Sequence, residues 1–216
     1  MKLIYMPVNG VGTTLVNRWA SSPIHQMDVR LANTPAFHPY TLTSFASWSK
    51  QRFRWEPEHV VFGDSGGFSV RTRGIHIDPQ EALGWQLRCC NMGALLDTPP
   101  WDRWHLWDEC LARTVFATKA AFPHCRAARD RGTPFRWWGV VHGRTRKELE
   151  AWWSAISKVY PFADDGEGWA FKPHPLNDPD AMASVLEFIA DKGIRRAHFF
   201  ASTARRAVEV LCCYGP

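Results

Sequence analysis

Short apolar runs that stop abruptly at a polar or ionisable residue recur along this chain. Val60-Val61-Phe62 runs into Gly63-Asp64-Ser65-Gly66-Gly67-Phe68, Gly93-Ala94-Leu95-Leu96 into Asp97-Thr98-Pro99-Pro100, and Trp138-Gly139-Val140-Val141 into His142-Gly143. Runs of this length between turn residues read as strands buried on both faces. Residues 3–8, Met27 to Leu31, Gly168 to Lys172 and Arg196 to Ala201 have the same character, which gives about seven strands. Between them the period changes to that of helices. Asp78-Pro79 is an N-cap followed by proline, with Leu83, Leu87 and Cys90 on one side, and Thr145-Arg146-Lys147-Glu148 is a capping box ahead of Leu149, Trp152, Trp153 and Ile156. Asn177-Asp178-Pro179 caps a helix carrying Met182, Val185, Leu186 and Ile189 and stopped by Gly193. Helices are also expected over Thr41 to Lys50, from the Trp101–Trp107 region to near Arg131, and over Thr203 to Cys213.

Strands alternating with helices predict an α/β fold with a parallel sheet, and the number of repeats predicts a (β/α) barrel of the TIM type. In such barrels the strand C-termini build the active face, so Asp64, Asp97 and His142 are candidates for one site assembled from several strands. The structural alternative is that the two aspartates cap the turns that follow them. At 216 residues the chain holds one domain, 1–216, but is short of the roughly 250 typical of a full barrel.

Composition narrows the partners only a little. A net charge of +5 and a pI near 9.0 permit a phosphate-bearing partner without requiring one. The stretch Lys50-Gln51-Arg52-Phe53-Arg54-Trp55 mixes cations with aromatics, which suits a nucleic-acid backbone and its bases, or the covering of neighbouring apolar surface. Pro99-Pro100-Trp101-Asp102-Arg103-Trp104-His105-Leu106-Trp107 is the most unusual stretch: a stacking platform or lid for a flipped base, or, for Trp104 and Trp107, one packed helical face. Asn9-Gly10-Val11-Gly12-Thr13-Thr14 lacks the ending of a phosphate-binding P-loop and reads as a turn. The six cysteines show no Cys-x-x-Cys spacing and are expected reduced and mostly buried. The acidic run 164–167 reads as a solvated turn, and neither metal nor cofactor is expected. With no 20-residue apolar segment and no full leader pattern at its start, the chain is expected to be cytoplasmic and away from membranes.

Asp64-Ser65-Gly66-Gly67-Phe68, Leu95-Leu96-Asp97, Gly139-Val140-Val141-His142-Gly143 and Gly168-Trp169-Ala170, in that order, resemble the tRNA-guanine transglycosylase superfamily, which includes relatives that insert 7-deazaguanines into DNA. The resemblance covers roughly residues 55–203. It implies a nucleic-acid base exchange, replacing guanine by a free 7-deazaguanine-type base. By that resemblance Asp64 carries the proton and touches the base, and Asp97 reads the guanine-like N1/N2 edge. Ser65, Gly66 and Phe68 line or stack on the purine, His142 and Gly143 contact it, Gly168 and Trp169 touch it through their backbone, and Phe200 packs against it. Arg52, Arg54 and Arg103 are the candidates for nucleic-acid contact.

The sequence departs from the family at His142, where the family carries glutamine, and at Lys172, near a position usually small. The family also has an eighth strand bearing the aspartate that attacks the sugar, followed by a zinc segment. No such pattern follows residue 203, so the barrel is expected to be incomplete at its C-terminus: a truncated product, one half of a split enzyme, or a domain completed by a partner chain or a second copy. These departures favour DNA over tRNA as the polymer. The competing expectations are the same reaction on tRNA, a barrel that binds a deazapurine or nucleic acid without turnover, and an unrelated barrel hydrolase.

Overall fold

The computed structural model describes residues 40–48, 60–160, 168–172 and 179–200. Six strands, β1 (Tyr40–Ser44), β2 (Val60–Asp64), β3 (Met92–Ala94), β4 (Arg136–His142), β5 (Gly168–Lys172) and β6 (Ala197–Phe199), form one sheet in sequence order, every neighbouring pair parallel. The helices are α1 (Phe45–Trp48), α2 (Gly67–Arg73), α3 (Pro79–Cys89), α4 (Trp107–Asp130), α5 (Arg146–Val159) and α6 (Pro179–Asp191). A single 3-10 turn, Trp104–Leu106, leads into α4.

The caps read from the sequence set the helix starts. Asp78 Oδ1 accepts from the backbone N–H of Gln80 and Glu81 at the head of α3, with Pro79 at the first helical position. Thr145 and Glu148 close a reciprocal capping box at the head of α5. Leu149, Trp152 and Ile156 are the buried stripe of α5, at helical spacing.

The sheet has two apolar faces. Val61, Trp137, Val141, Trp169 and Phe171 pack with α3, α5 and α6 in the larger core cluster. Their neighbours in the strands, Leu42, Phe62, Ala94, Trp138, Val140 and Ala170, form a second cluster on the opposite side. Alternation of side chains along each strand produces this division. The second side is concave. Four strand spacings of about 4.8 Å would hold β2 and β6 roughly 19 Å apart in a flat sheet. Yet the rings of Phe62 on β2 and His198 on β6 stack with centroids 4.3 Å apart, and Phe200 meets Phe62 edge-on at 6.3 Å. The parallel sheet is therefore curled into a half-barrel.

Two expectations are corrected. Six strands, not seven, are present among the described residues, and one of the six lies where a helix was expected. Residues 40–44 are strand β1, paired residue for residue with β2, and the helix is confined to Phe45–Trp48. Leu42, Phe45 and Trp48 have helical spacing, but Thr41 and Thr43 are β-branched and Tyr40 aromatic, which favours the extended form. Helix α2 and the left-handed Gly66 that precedes it were not read from the sequence. The strands expected at 3–8 and 27–31, the turns at 9–14 and 164–167, Arg52, Arg54 and the helix expected over 203–213 lie outside the described residues.

Candidate active site

The chain leaves β2 through a turn that only glycine allows. Gly66 has φ 90°, in the left-handed region, and its N–H donates to Asp64 Oδ1 at 3.3 Å. A Cβ on the next residue, Gly67, would fall on the carbonyl and carboxylate oxygens of Asp97. The paired glycines thus bring the end of β2 against Asp97, three residues beyond the end of β3. Ser65 is fully buried and its hydroxyl donates to the Leu95 carbonyl at 3.3 Å, tying the two strand ends together. Below it, buried Gln86 of α3 donates to the carbonyls of Gly63 at 2.8 Å and Ala94 at 2.7 Å.

Asp64 follows Phe62 by two residues and so stands on the concave side, at the rim, where it keeps part of its surface accessible. Burial among its neighbours, and next the Asp97 carboxylate, push it up to about 6. The Gly66 N–H, the Ser44 hydroxyl and the Lys172 ammonium act in the other direction and do not cancel the rise. A carboxyl near 6 exchanges its proton readily near neutral pH.

Asp97 is held differently. His142 Nε2 donates to Asp97 Oδ2 at 2.7 Å, and both side chains are buried. The His142 ring is fixed in turn by the edge of Trp152, 5.0 Å away, and the Trp152 indole N–H donates to the Val140 carbonyl at 2.9 Å. The backbone after Asp97 is anchored to α4, where Thr114 accepts from the Thr98 N–H at 2.9 Å and donates to the Cys110 carbonyl at 2.9 Å. One carboxylate oxygen is therefore committed to His142, and Oδ1 is the one beside Gly67.

The third member of the site is Lys172, which ends β5 in register with His142 at the end of β4. Its Nζ lies 3.2 Å from the centroid of Trp101 and 5.0 Å from that of Phe68, and those two rings meet edge to face at 5.0 Å. Trp101 reaches this position with φ 41°, a conformation uncommon outside glycine. Burial pushes Lys172 down to about 8, against the pull of Asp97 and Asp64, which favour its charge. Phe68 remains 45% exposed, so one aromatic face of the site is open to solvent.

The remaining expected residues divide clearly. Gly143 is packed against the backbone of Leu149 in α5, and Gly168 lies beneath the ring of Trp138. The Trp169 ring is on the helix side, 5.9 Å from Trp153, so only its backbone is available to the concave side. Phe200 lies on the concave side with Phe62 and His198, its N–H donating to the Phe171 carbonyl at 2.8 Å. Arg103 is exposed in the turn after Trp101. Trp104 lies beneath Arg144, 4.4 Å from its guanidinium, and Trp107 packs edge-on to Trp152 at 5.6 Å. Sequence reading missed the place of Lys172 and Ser44 in the site, although β5 ends in an ionisable residue just as β2 and β4 do.

Cys89, Cys90, Cys110 and Cys125 are buried. Among the described residues no cluster of three His, Cys, Asp or Glu side chains could hold a metal ion, and no helix is long and apolar enough to cross a membrane. The chain matches no protein-family model, and no curated protein matches it.

Proposed function

We propose that this chain is a nucleic-acid base-exchange transglycosylase that replaces guanine by a 7-deazaguanine-type base, with the curled sheet as part of a TIM-type barrel. The observation that carries the reading is Asp64, a carboxyl pushed up to about 6 at a strand end, beside a second carboxylate and near an exposed phenyl ring. Base exchange needs a group that gives a proton to the departing guanine and takes one from the entering base. A carboxyl poised near 6 is suited to both directions. Asp97 supports it as an acceptor for the N1–H and N2–H edge of a guanine-like base, through Oδ1, since Oδ2 is held by His142. Phe68, 45% exposed, offers a face on which a flipped base stacks.

Exchange also requires a nucleophile at C1′ to hold the sugar while the bases change places. Neither Asp64 nor Asp97 is assigned that part, because the first moves the proton and the second is committed to His142 and the base. Duplex DNA is the polymer we favour, because His142 and Lys172 stand where the tRNA enzymes carry other residues.

Incorporation of labelled guanine into duplex DNA and into unmodified tRNA tests the reading. The expected result is incorporation into DNA, reduced at least about 100-fold in Asp64→Asn. Incorporation into tRNA alone would keep the reaction and change the polymer. No incorporation into either, with a deazapurine still bound, would replace the enzyme by a binding barrel.

A further inference from the structure

The last residues of β1 and β2 meet as a pair. Ser44 is in register with Asp64, two residues beyond Leu42 and Phe62, which are themselves in register and belong to the concave cluster. Side chains two apart along a strand share a face, so the Ser44 hydroxyl and the Asp64 carboxyl stand side by side at the concave rim. The hydroxyl donates to the carboxylate. The backbone that follows Ser44 is fixed. Phe45 is buried and meets Trp85 of α3 edge-on at 5.8 Å. Ala46 packs so closely on the turn after Asp64 that a Cβ on Gly66 would lie 3.1 Å from the Ala46 Cβ. Ser44 is therefore held to the carboxyl it meets.

The other groups that act on Asp64 each suit one protonation state. The Gly66 N–H only donates and Lys172 brings a positive charge, so both favour the carboxylate, whereas the Asp97 carboxylate favours the acid. A hydroxyl is different. By turning about its own C–O bond it donates to a carboxylate and accepts from a carboxylic acid. We propose that Ser44 is a positioning residue for the exchange, holding the Asp64 carboxyl in one orientation both while it gives up its proton and while it takes one back. This rests on the base-exchange reading and adds a member to its proton-carrying site. Ser44 itself neither gains nor loses a proton over the cycle. Its hydrogen points toward Asp64 when the carboxyl is bare and away when it is loaded. Without the hydroxyl, the 3.3 Å bond from the Gly66 N–H remains, which leaves the carboxyl freer to turn away from the base.

The test is exchange of labelled guanine into duplex DNA and unmodified tRNA by the full chain, with kcat and KM for the free base, alongside carboxyl-carbon NMR titration of Asp64. Ser44→Ala is expected to lower kcat about tenfold or more while KM stays within about twofold. Asp64 in that variant should titrate at higher pH than in the wild-type chain, because a donor to its charged form is gone. Ser44→Thr, which keeps the hydroxyl, should restore both. Unchanged kcat in Ser44→Ala, or an Asp64 titration that does not move, overturns the role of Ser44 and leaves base exchange standing, as does a loss that Ser44→Thr shares in full. Absence of exchange into either polymer by the wild-type chain overturns both.

Discussion

Asp64 ends β2 and Asp97 lies just beyond the neighbouring β3, close enough for the Asp97 carboxylate to raise the cost of ionising Asp64, yet the two inhabit opposite environments. Asp97 is buried, bonded at 2.7 Å to a buried histidine, and pressed against the backbone of the next turn. Asp64 is at the rim, with one long contact from the Gly66 N–H, a hydroxyl from Ser44 and the charge of Lys172. The same side chain becomes a fixed acceptor or a proton carrier according to what holds it. A carboxylate with a short, buried donor keeps its geometry. A carboxyl that is desolvated without full compensation keeps its proton to higher pH.

Breaking the open half should cost the most activity and the least stability. Asp64→Asn is expected to lower exchange by about 100-fold to 10,000-fold, the usual range for losing a positioned acid and base. The same variant should be more stable than wild type at pH 7.5, by on the order of 2 kcal/mol, which denaturant unfolding can measure. The sign follows from the raised value. Between its ordinary value of 3.8 and about 6, Asp64 binds more protons in the folded chain than in the unfolded one. Its contribution is therefore fully present below pH 4 and is lost as pH rises through 6. An asparagine removes that loss.

Breaking the closed half should reverse the balance. Gly67→Ala drives a methyl group into Asp97, and its cost is expected at about 1–3 kcal/mol of stability. Asp97→Ala leaves the buried His142 nitrogen without its acceptor and should cost about 1–3 kcal/mol in unfolding experiments, in addition to loss of base affinity. The smallest effect is expected for Trp101→Leu. It removes one aromatic face from Lys172 and should change stability by about 0.5–2 kcal/mol while weakening base binding.

Much of this rim was legible in the sequence because strand ends are marked by a change of residue type. Apolar runs stopping at Asp64, Asp97 and His142 identify three residues that the fold brings together. What joins them was not legible. The contact between His142 and Asp97 spans 45 positions and depends on the register of β3 with β4. Lys172 carried the same strand-end signal as the others, but its place on Trp101 depends on a left-handed backbone at Trp101 that no residue pattern announces. Strand β1 was misread because a short segment with apolar residues three apart satisfies a helical period by chance, and pairing with β2 decides the matter. The curl of the sheet, seen in Phe62 stacking on His198, is a property of the assembled strands rather than of any one of them.

The central claim is that Asp64 is the proton carrier of the rim because burial and Asp97 hold its carboxyl high. Carboxyl-carbon NMR titration of the full chain, with Asp64→Asn for assignment and Asp97→Asn as the perturbation, tests it most directly. One aspartate is expected to titrate near 6, absent from Asp64→Asn and shifted downward in Asp97→Asn. Asp64 titrating near its ordinary 3.8, and unmoved when Asp97 is neutralised, would contradict it.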